Sequence, residues 1–145
     1  MKLMVVLLLV LAVQKECNQS ASITFIDATS QNWNGGAAAT RGTYYKIYFQ
    51  MTDTVGYRFD SLWVNNKRLP VSFIKGISPS DTLLLMANDY LGIRNPMNQQ
   101  DVVNSVEAPF PFETNAAGLV GYFLKGERKY LPVAQWRQLK PLYYQ

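Results

Sequence analysis

The chain has 145 residues, 48% hydrophobic and 17% charged, enough for one domain with a real core and no more. It has no histidine and a single cysteine, which removes the commonest general base, the commonest metal ligand and any internal disulfide. Counted from Cys17 the net charge is +3, scattered so that the longest basic cluster is Lys67-Arg68, and no stripe that would track nucleic-acid phosphates is visible.

Met1-Lys2 carries one positive charge, and Leu3–Val13 follow as eleven uninterrupted apolar residues. That is signal-peptide length and well short of the ~20 residues that span a bilayer. Cys17 stands just after the run. We therefore expect residues 1–16 to be a signal peptide, 17–21 a short tether and 22–145 the folded domain.

Beyond the tether the pattern is period two with frequent breakers, and no window keeps helical spacing over three turns. Residues 22–29 predict a strand, followed by the loop QNWNGGAAATRG. Residues 43–52 predict the clearest strand, with Tyr45, Ile47, Phe49 and Met51 on one face and Tyr44, Lys46, Tyr48 and Gln50 on the other. Such a pair of faces belongs to an antiparallel sheet covered on one side. Strands are also predicted over 58–64 and 69–75, joined by a tight hairpin at Asn65–Arg68, with Pro70 demanding an edge or a strand start. Residues 81–87 read as a central strand, 88–116 as irregular, and 119–124 and 129–133 as a second hairpin. A helical turn is predicted over 134–139. About seven short strands predict an all-β domain, a single immunoglobulin-like antiparallel β-sandwich, with a small β-barrel as the alternative.

The carboxylates from Asp27 to Glu127 show no paired motif, the Ser and Thr hydroxyls lack a histidine partner, and Gly35-Gly36 lacks a phosphate-loop lysine. No catalytic residue, metal site or cofactor is predicted, and the chain is not expected to be an enzyme. Asn88, Asp89, Asn95, Asn98 and Asp101 gather oxygen donors without calcium-loop spacing, and read as turn formers. Trp63, Phe49 and Phe59 fit inward positions. Trp33, among Asn and Gly in the predicted loop, and Tyr44 and Tyr48, on the wettable strand face, are the candidate ligand-binding residues. An exposed row of the three would stack on a sugar ring. Burial of Trp33 would instead favour an interaction module that docks another envelope component.

A cysteine directly after an apolar run resembles the acceptor site of bacterial lipoproteins, which implies lipidation of Cys17 and a membrane partner through that anchor. Gln14, Lys15 and Glu16 stand where that site has Leu and small residues, a departure that would slow processing. NWNGG at 32–36, GTYYKIYF at 42–49, FDSLWV at 59–64 and GYFLKGERKYLPV at 121–133 resemble small exported all-β proteins of Bacteroidota-type bacteria. The resemblance implies location in the cell envelope, periplasmic or anchored in the outer membrane, with an envelope protein or glycan as partner. It names no activity. Asp53-Thr54-Val55, Asp60-Ser61-Leu62 and Asp81-Thr82-Leu83 are similar to the short O-glycosylation pattern of that group.

Overall fold

The computed structural model describes residues 23–36, 40–51, 53–77, 82–91 and 106–145. Cys17 and the expected leader and tether lie outside the described residues. The architecture is all-β, two sheets packed face to face as a sandwich and not closed into a barrel. Among the described residues eleven strands occur in chain order: β1 Ile23–Asn34, β2 Arg41–Met51, β3 Tyr57–Val64, β4 Lys67–Pro70, β5 Ser72–Ile77 and β6 Thr82–Leu91. They continue with β7 Val106–Glu107, β8 Gly118–Leu124, β9 Glu127–Val133, β10 Arg137–Gln138 and β11 Leu142–Tyr143.

The first sheet runs β10-β1-β2-β6-β5, with β11 also on β1; the second runs β7-β4-β3-β8-β9. The core lies between them. Tyr45, Ile47, Phe49 and Met51 of β2, with Leu83, Leu85 and Ala87 of β6, meet Leu62, Val64, Leu69, Val120 and Val133 of the second sheet. The period-two pattern of β2 is thus the cause of its placement, because alternate side chains can enter the core only from one face. Two hairpins close as the sequence suggests. Asn65 and Asn66 (φ 50° and 57°) and Lys125 and Gly126 (φ 50° and 86°) supply the left-handed pairs that two-residue turns need.

Three expectations are corrected. Residues 69–75 are not one strand: Pro70, with no N–H to donate, ends the ladder of β4, and the chain crosses at Val71 to begin β5 in the other sheet. The strand expected to stop at Ala87 continues to Leu91, so Asn88 and Asp89 are strand residues. No helical turn forms over 134–139. Instead β10 and β11 lie extended along β1 in parallel register, Thr29 opposite Arg137 and Trp33 opposite Leu142, with Leu139 N–H donating to the Ser30 carbonyl. They seal an edge that would otherwise present unpaired backbone groups.

Trp136 anchors this terminal strap. Its indole N–H donates to the Ala117 carbonyl (3.1 Å) and its ring meets Tyr45 edge-on at 4.9 Å. Farther along, Arg137 pairs with Asp27, whose carboxyl is held below the usual 3.8 by the Arg137 hydrogen bond and charge, against a smaller upward push from burial. A depressed acid stabilises the fold above its unfolded value and loses that contribution as pH falls through the folded one. We expect acid to loosen the strap below pH 3.8, seen as exchange of the Leu139 amide, and Asp27→Asn to remove that pH dependence. An exchange profile unchanged in the variant would refute it.

Candidate aromatic binding face

The outer face of the first sheet is fixed by register. Tyr44, Lys46, Tyr48 and Gln50 point away from the core because Tyr45, Ile47 and Phe49 point into it. Trp33 lies directly across from Gly42, and Gly42 from Tyr90, so all three share that outer face. Gly42 makes the arrangement possible. A Cβ there would stand 2.7 Å from the Trp33 ring and 2.5 Å from the Asp89 carbonyl oxygen, so only glycine lets the indole lie against the sheet.

Trp33 is therefore not a loop residue, as the sequence suggested, but part of β1 and only 7% exposed. Continued pairing with β2 out to Asn34 carries it into the sheet. Tyr44 stacks on it at 5.7 Å, Tyr90 tilts against it at 5.6 Å, and Tyr144 of the strap meets it edge-on at 6.4 Å. Burial and a hydrogen bond with Tyr144 raise the Tyr44 phenol above its ordinary value. Tyr48 shares the face but stands four residues along β2, about 13 Å from Tyr44. The three candidate residues do not form one exposed row: Trp33 and Tyr44 are together, and Tyr48 is apart.

Beside this cluster is a shallow pocket of about 370 Å³. It exists because of the strand crossing at Val71. β5 begins at Ser72, opposite Met86, so Asn88 to Leu91 of β6 have no strand partner on that side among the described residues. Tyr44, Asn88, Tyr90 and Met86 line one part of the notch, and Pro70, Val71 and Ser72 the other. None of these carries a charge. The Trp33 indole N–H donates to Asn88 Oδ1 at 3.0 Å. Since an indole only donates, this bond fixes the amide orientation and leaves the Asn88 NH₂ on the opposite side. Asn88 and Tyr90 were not legible as site residues while 88–116 read as irregular. Continuing the alternation of LLLMANDYL would have put Leu84, Met86, Asn88 and Tyr90 on one face.

Trp63 corrects another expectation. It does not enter the core but packs on the outer face of the second sheet, 7% exposed. Strict alternation would put residues 59, 61 and 63 on one face, but a bulge between Phe59 and Ser61 shifts the phase. Phe59 packs against the core, stacked on Phe49 at 5.8 Å, while Leu62 and Val64 take the inward positions beyond the bulge. Arg68 and Arg128 cover the Trp63 ring at 5.2 and 5.3 Å, and Asp60, the bulged residue, accepts from both guanidinium groups. This is a closed structural cluster: its cations are already paired.

Other carboxylates are engaged as well. Asp89 pairs with Lys67, Glu127 with Lys129, and Asp53 accepts from the Val55 amide. No group of three or more metal-ligating side chains occurs among the described residues, and Asn95, Asn98 and Asp101 lie outside them. Of the O-glycosylation-like sites, Ser61 and Thr82 are buried, and Thr54 is half-buried, its hydroxyl oxygen accepting from Lys75 Nζ at 3.3 Å. A comparison with family models, with curated proteins and with solved structures finds no match.

Proposed function

We propose that this chain is a non-catalytic interaction module of the bacterial cell envelope. Residues 1–16 export it, lipid on Cys17 holds it at a membrane, and the outer face of its larger sheet receives the partner. The observation that carries this reading is the uncharged notch beside Trp33. Its walls are held by ring contacts and by the Trp33–Asn88 hydrogen bond, so it is formed before any ligand arrives. The leader supports the location: an apolar run too short to span, then a cysteine at its end.

Two measurements test the reading. The mature native protein is expected to begin at Cys17, to weigh more than the bare chain by its acyl groups, and to enter the detergent phase even after high salt. Several acyl chains, at about 0.8 kcal/mol per buried CH₂, exceed what reversible attachment allows. An unmodified chain starting after residue 17 and recovered from the soluble fraction overturns the anchor. A photoreactive side chain at Lys46, on the outer face, is expected to capture an envelope component that the same group at Lys129, on the second sheet, does not. Equal capture from both positions overturns the docking face.

A further inference from the structure

Resting on that reading of the outer face, we propose that the notch formed by Tyr44, Asn88 and Tyr90 is a binding site for an uncharged pyranose ring, as found in an envelope glycan. Four features select this ligand. Among the described residues no charged side chain lines it, so an ionic ligand would lose its hydration without gaining a counter-charge from them. Tyr44 and Tyr90 flank the notch, and their rings offer apolar area to the C–H side of a sugar. The Asn88 NH₂ is turned away from Trp33 and has no partner among the described residues, so it stands ready for a ring or hydroxyl oxygen. A volume of about 370 Å³ lies at the low end of the roughly 300–1,000 Å³ of ligand sites, which suits one or two rings and no more.

A proline-rich peptide is the other ligand that aromatic notches receive. It is disfavoured here because Trp33, the ring it would lie across, is turned into the sheet and its N–H is already given to Asn88. Trp33 in this site is a support for the amide and not a stacking platform. That division of labour separates the proposal from a row of exposed aromatics: the specificity sits in Asn88, and the rings beside it supply area.

The test is a ¹H–¹⁵N NMR titration of the full chain in detergent micelles. The probes are glucose, galactose, mannose and N-acetylglucosamine with their disaccharides, and a deca-proline peptide as the competing class. Saturable shifts are expected for at least one sugar, centred on the Asn88 side-chain amide and the Tyr90 backbone. Asn88→Asp keeps an acceptor for the Trp33 indole and removes the NH₂ donors. It is expected to leave the Trp33 indole resonance in place while weakening sugar binding about tenfold or more. Tyr90→Ala is expected to weaken it by a similar factor, and Tyr90→Phe, which keeps the ring, by less than about twofold. Sugar binding that Asn88→Asp leaves intact overturns the assignment. Saturable binding of the peptide at these residues with none of the sugars overturns the ligand class while leaving the outer face as a docking site. A chain whose outer face binds neither probe, and which captures nothing from Lys46, overturns both.

Discussion

A chain ending at Val133 is expected to lose about 5 kcal/mol of stability or more, and to associate through the uncovered edge of β1. Natural domains have only about 5–15 kcal/mol in total, so the truncated protein should be largely unfolded or aggregated at 37 °C. Trp136 alone is a half-buried indole against the core cluster, sitting over Gly118 and donating to Ala117, and its removal should cost about 3 kcal/mol. The strap beyond it pairs with β1 at four positions and adds backbone bonds from Leu139 and Tyr144. Thr29, now buried, would be left without its cover, and Trp33 would lose the Tyr144 edge. An open strand edge is a template for a second chain, so size-exclusion chromatography should show oligomers where the full chain elutes smaller. A chemical-denaturation midpoint within 1 kcal/mol of the full chain, with unchanged elution, would show that the strap is ornament. Trp136→Ala in the complete chain separates the two contributions: it should lower stability without producing the oligomers, because β10 and β11 still cover the edge.

The same segment shows where sequence reading reaches its limit. β2 and the two hairpins are legible because their evidence is local: alternation over residues 44–51, and turn residues able to take positive φ. Residues 134–139 contain no comparable local signal. What makes them extended is β1, more than a hundred positions away, and a two-residue strand has no periodicity to read. Trp63 failed for a different reason. Its alternation was read correctly as period two, but one extra residue at Asp60 inverts the phase, and a bulge leaves no mark in a pattern of apolar and polar residues. Trp33 was singled out by its type and misplaced by its neighbours, since Asn and Gly around it signal a loop. The notch required both corrections at once. β6 had to run on to Tyr90, as the alternation of LLLMANDYL allows, and β5 had to start late, after Pro70, which has no N–H to donate.

Replacing Lys67 is expected to be damaging on the inner side of β6, because it strands a charge between the sheets. Asp89 points inward from β6, its side chain 8% exposed, and Lys67 reaches it from β4 in the other sheet, with Nζ 2.8 and 3.0 Å from its two oxygens. Tyr45 lies close by, its phenol raised by burial and then by the Asp89 charge, and its hydroxyl accepts from Asn65 at 3.3 Å. Lys67→Met fills most of the same volume but leaves the carboxylate with no cation in a site from which water is largely excluded. Breaking one partner of such a pair costs about 3 kcal/mol or more, far above the ~0–1 kcal/mol of an exposed ion pair. Lys67→Met with Asp89→Leu removes both charges and should recover most of that loss, since the attraction in the native pair is largely offset by its desolvation. The decisive quantity is therefore the difference between the single and the double variant in urea denaturation at neutral pH. A single variant no less stable than the double would mean that water reaches Asp89 freely, and that apolar packing alone holds the two sheets together at that end.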